Sequence, residues 1–118
     1  MTEDLFSGAN VIVSIKATHE IRDDSGFRTL EKTKGELVLT EKEFVFLEVK
    51  GTFKKEKTRK YAFPIEALTG HSYERWSGGP TTLYLSYDTD SGTKTLIFSV
   101  SKGDYDKFIG TVKERRIF

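Results

Sequence analysis

Residues 101–118 read SKGDYDKFIGTVKERRIF, and here the apolar side chains abandon the two-residue alternation that runs through most of the preceding chain. Tyr105, Phe108, Ile109 and Val112 fall at i, i+3, i+4 and i+7, which is one face of a helix, while Lys107, Lys113 and Glu114 lie elsewhere on the wheel. Ser101 with Asp104 three residues on has the form of a capping box, and Lys113, Arg115 and Arg116 sit where cations suit the negative end of the helix dipole. The spacing predicts one amphipathic helix over about 102–116. Gly110 inside it implies a close approach to a strand, since glycine otherwise weakens a helix. Ile117 and Phe118 are expected either to fold back on the sheet or to lead into further chain.

Upstream, the period is two. In VIVSIKATHEI (11–21), Val11, Val13, Ile15 and Ala17 share one face and Ser14, Lys16 and Thr18 the other, as in a half-buried strand. The cluster RDDSGF (22–27) reads as a turn, and GELVLTEKEFVFLEV (35–49) as two strands joined at Thr40–Glu43. Pro64 in YAFPIEAL (61–68) has no amide hydrogen and should end or kink a fourth strand. GHSYERW (70–76) is a fifth, and TTLYLSY (81–87) and KTLIFSV (94–100) flank the turn DTDSG. Seven antiparallel strands over about 9–100 and one helix form a mainly β (α+β) domain: a bent sheet or partly open barrel capped by the C-terminal helix. The expected core includes Val13, Ile15, Leu37, Leu39, Phe46, Leu85, Ile97, Phe108, Ile109 and Val112.

Composition bounds the class. At 118 residues the chain fits a single domain, 1–118, with 36% hydrophobic and 31% charged residues and no long apolar run. The acidic start MTEDLFSGAN is unlike a signal peptide, and the lack of cysteine leaves neither disulfides nor thiolate metal sites, so a cytoplasmic protein, with or without peripheral membrane attachment, is expected.

The order of elements resembles the pleckstrin-homology-like (PH-like) superfold. The runs KGELVLTEKEFVF, YAFPIEAL and TLIFSV before the helix resemble its GRAM and GLUE branches in particular. Typical pleckstrin-homology domains carry a tryptophan in the final helix, where this chain has Tyr105 and Phe108, its one tryptophan being Trp76, so GRAM or GLUE is the better analogy. The resemblance covers residues 9–116 and implies an adaptor or binding module without catalysis, acting on phosphoinositides, ubiquitin-like proteins or peptides.

Net charge is only +1, yet KGTFKKEKTRK (50–60) alone carries +5, leaving −4 for the rest. Lys50, Lys54, Lys55, Lys57, Arg59 and Lys60, with Phe53 among them, form the candidate anionic-surface site, an alternative being a solvated hairpin tip. Phosphoinositide-specific binding is a second alternative, against which Asp23 and Asp24 beside Arg22 and Arg28 weigh. Nucleic acid is poorly supported, because only Phe53 and Tyr61 are interleaved with the charges. Tyr73, Arg75 and Trp76 are of the types that dominate protein interfaces and form a candidate protein-binding patch. His19 and His71 fit no metal spacing, Asp88 and Asp90 read as turn formers, and no phosphate-binding glycine loop is present. Neither a catalytic residue, a cofactor nor a metal is therefore expected.

Overall fold

The computed structural model describes residues 5–6, 8–26, 28–75 and 77–117. Alternation sets the faces of the first strand, β1 (Val11–Arg22), which buries Val13, Ile15, Ala17 and His19 and exposes Ser14 and Lys16. It pairs with β2 (Thr29–Thr40), followed by β3 (Glu43–Lys50) and β4 (Glu56–Pro64), each antiparallel to the last. The tight β2–β3 turn is held by Thr40, whose Oγ1 accepts from the amides of Lys42 (3.2 Å) and Glu43 (3.0 Å). A single 3-10 turn, Ile65–Ala67, leads from Pro64 into β5 (Leu68–Arg75), and β6 (Thr81–Thr89) and β7 (Gly92–Val100) complete a second meander.

The strand order is β4-β3-β2-β1-β7-β6-β5. β1 meets β2 along nearly its whole length but β7 only from Thr18↔Ser99 to Glu20↔Ile97, so a short seam joins the two meanders. At the far ends β4 and β5 are both edge strands, and the sheet is open there. β3 approaches β2 closely at Gly35: a Cβ there would overlap the Leu47 carbonyl oxygen and lie 2.8 Å from Cζ of Phe46.

The helix α1 (Lys102–Glu114) packs Tyr105, Phe108, Ile109 and Val112 into the core, with Ser101 Oγ accepting from the Asp104 amide at 3.2 Å as its N-cap. Its end is closed by Arg116 in the left-handed region (φ 56°), and the Ile117 amide donates to the Val112 carbonyl. Ile117 is half-buried against the core, so the chain does fold back at that residue; Phe118 lies outside the described residues.

Two expectations need correction. Ile97 is not in the core; it faces outward between Tyr84 and Glu20, and Leu96, Phe98 and Val100 are the buried residues of β7. Gly110 makes no close approach to a strand, since a Cβ built there meets nothing within 4 Å. It lies on the exposed side of α1, where glycine has no packing role.

Candidate functional site

The basic stretch divides into a loop and a strand. Residues 51–55 link β3 to β4, and Gly51 (φ 106°) starts the loop in a conformation that L side chains rarely adopt; a Cβ there would also meet the Lys54 carbonyl. Phe53 at the apex is fully exposed, at 103% of its reference area, and Lys54 and Lys55 follow it with no ion pair among the described residues.

The other cations of the run are engaged within the sheet. Lys50 pairs with Glu48 (3.2 Å), Lys57 with Glu36 (3.1 Å) and Arg59 with Glu43 (2.8 Å). Those three carboxylates reduce the local charge of +5 to +2. Arg59 also donates to the Leu5 carbonyl, tying residues 5–6 over an outer apolar cluster of Val38, Val45 and Leu47. A bulge opposite Phe46 and Leu47 leaves Lys60 without a register partner, and its ammonium donates to Thr33 Oγ1 (3.2 Å) while lying 5.7 Å from the Tyr61 ring centre. Lys50, Lys57, Arg59 and Lys60 are thus strand or strand-end residues with partners, and the exposed tip is Phe53, Lys54 and Lys55.

Behind the tip lies an open groove of about 710 Å³ on the outer face of β1 and β2. The β3–β4 loop forms one wall and the start of α1 the other. Lys16, Lys34, Lys55 and Lys57 line it together with Glu36 and Asp104. Lys16 and Lys34 were not among the sequence candidates. The signal was present in the alternation of β1, which places Lys16 outward, but the β1–β2 register that brings Lys34 beside it is not visible in either strand alone.

Tyr73 and Arg75, expected at a protein interface, fasten edge strand β5 to the helix. Arg75 pairs with Asp106 at 2.6 Å, and its guanidinium carbon lies 4.9 Å from the Tyr105 ring centre and 5.6 Å from that of Tyr73. The two tyrosine rings are 5.2 Å apart. Burial, with Tyr73 adjacent, raises the Tyr105 phenol above its ordinary pKa. Tyr73 remains half-exposed, and Trp76 lies outside the described residues.

His19 is buried against the rings of Phe46, Tyr61 and Phe98, and its Nδ1 has no hydrogen-bond partner. Burial, reinforced by the Lys60 ammonium, holds its pKa below the ordinary value. No cluster of His, Asp and Glu that could hold a metal occurs among the described residues. Nor is any helix among them long and apolar enough to cross a membrane.

No family model and no curated protein matches the sequence. Among solved structures, the chain is similar to the DH/PH domains of p115-RhoGEF, with a TM-score of 0.57 at 10% identity, over 90% of this chain and 30% of that one. At that identity the likeness concerns architecture: the seven-stranded antiparallel sheet with one C-terminal helix is a PH-like fold.

Proposed function

We propose that this chain is a non-catalytic, PH-like binding module, of the GRAM or GLUE type it resembles, that attaches to anionic membrane surfaces through the β3–β4 tip. One observation carries the reading: a fully exposed Phe53 held on a glycine-started loop and followed by two unpaired lysines, Lys54 and Lys55. An aromatic ring at a loop apex lowers its free energy by entering the bilayer interface, and each adjacent lysine adds about 1 kcal/mol near anionic lipid, screened within a Debye length. The neighbouring β1–β2 hairpin supports the same face. It ends on the same side as the tip, because β1 and β3 run toward it together, and it carries Leu30 at 60% exposure beside Lys32.

Two lysines and one ring make a weak attachment, so a longer chain would need a second contact to hold firmly. Co-sedimentation with phosphatidylserine-containing vesicles at low and physiological salt tests the reading. Binding should be salt-sensitive, and lost in Lys54→Glu/Lys55→Glu and reduced in Phe53→Ser, with thermal stability unchanged in both. Sedimentation indifferent to all three substitutions would return the loop to a solubilising hairpin tip.

A further inference from the structure

The groove behind the tip calls for a different partner from the tip itself. A bilayer is flat on this scale and meets what protrudes, such as Phe53; a concavity between the β3–β4 loop and the start of α1 is reached only by a ligand narrow enough to enter. Its lining is cationic but mixed. Lys57 is already paired with Glu36, whereas Lys16, Lys34 and Lys55 have no ion pair among the described residues.

The arrangement of those lysines limits the ligand. Lys16 on β1 faces Glu36 across the ladder and Lys34 on β2 faces Thr18, so the two lysines are diagonal neighbours on one face of the sheet. Diagonal neighbours are about 7–8 Å apart, close to the roughly 6.6–6.8 Å between alternate residues of an extended peptide. Carboxylates on every second residue of such a segment would meet the two in succession, and Lys55 on the loop wall can take a third. A compact phosphorylated group is a poorer match. It would concentrate its charge in a groove that Glu36 and Asp104 also line, and like charges brought close are costly.

We propose that this groove binds an extended acidic segment of a partner protein, with Lys16 and Lys34 as its central contacts. The proposal shares only Lys55 with the membrane-facing tip; its central contacts do not involve Phe53 or Lys54.

Fluorescence anisotropy with a labelled, acetylated octapeptide in which Glu alternates with Ser tests it, the same peptide with Gln for Glu serving as the uncharged control. The Glu peptide should bind, and the Gln peptide at least about tenfold more weakly. Lys16→Glu/Lys34→Glu should weaken the Glu peptide by about tenfold or more, while Lys54→Glu should change it less than about twofold. Should the double Glu variant melt early, Lys16→Gln/Lys34→Gln carries the same expectation with a smaller fall. Amide shifts on adding the peptide should centre on Lys16, Lys34 and Val49. Four results would each overturn the proposal: no binding, equal affinity for the Gln peptide, indifference to both double variants, or displacement by inositol hexakisphosphate at concentrations below that of the peptide. The last would assign the groove to a phosphorylated ligand. None of them bears on vesicle binding by the tip, which has its own variants.

Discussion

Substituting Gly35 with alanine should destabilise this fold, although alanine in a strand is ordinarily worth about 0.5–1 kcal/mol more than glycine. The obstacle is backbone. The added methyl would overlap the carbonyl oxygen of Leu47 on β3, an atom that cannot rotate aside, and would lie 2.8 Å from Cζ of the buried Phe46. Relief requires β2 to move away from β3 where Gly35 pairs with Glu48 and Glu36 with Leu47. Overpacking of this kind costs about 1–3 kcal/mol, and one weakened ladder hydrogen bond about 1 kcal/mol more. Less the alanine gain, the expected net loss is about 1–3 kcal/mol. With a urea m-value of about 1–3 kcal/mol/M, the unfolding midpoint should fall by roughly 1 M. Gly70→Ala in β5 is the matched control, because nothing lies within 4 Å of a Cβ there, and it should be neutral or slightly stabilising. A midpoint for Gly35→Ala equal to or above that of the unsubstituted protein would refute the reasoning.

Phe108→Ala removes a fully buried ring that packs 6.1 Å from Phe44 beneath the helix, and should lower stability by about 3–5 kcal/mol in the same assay. An unchanged melting temperature would mean that α1 does not close the core. His19 should make stability depend on pH: its folded pKa lies below 6.5, so the unfolded chain takes up the proton first. Stability is therefore full above about pH 6.5 and declines as pH falls from there toward the lower folded pKa. Denaturation series from pH 5 to 8 should show the decline, and His19→Phe should flatten it, leaving only a contribution from His71, whose pKa burial also lowers.

The helix was legible because four large apolar residues at helical spacing have one physical solution, and the strands because alternation over a half-buried sheet has another. Residues 29–34 were not. TLEKTK offers no alternation to read, and it is extended because it pairs with the end of β1, a long-range contact that leaves no local trace. Ile97 was misplaced for a related reason: in LIF all three residues are apolar, and only the register with β6 decides which of them points inward. At the candidate site, charge density marks residues 50–60, of which only 51–55 are loop, and it overstates their free charge. Glu36, Glu43 and Glu48, which neutralise Lys57, Arg59 and Lys50, come from other strands of the sheet or from two residues back on the same strand. Phe53 needed no such information, since an aromatic residue at a hairpin apex has few ways to be buried.

The narrow seam between β1 and β7 has a consequence for the order of assembly. Each meander, β1 to β4 and β5 to β7, is built from neighbours in sequence and can form by closing short loops, which is entropically cheap and fast. Joining them requires residues 18–20 to find 97–99 across most of the chain, with only three paired positions to reward the search. α1 also packs on β1, so the C-terminal element of the fold secures its N-terminal strand. Productive folding on the ribosome must therefore wait until the helix has emerged, and until then both half-sheets present unpaired β1 and β7 backbone to other chains.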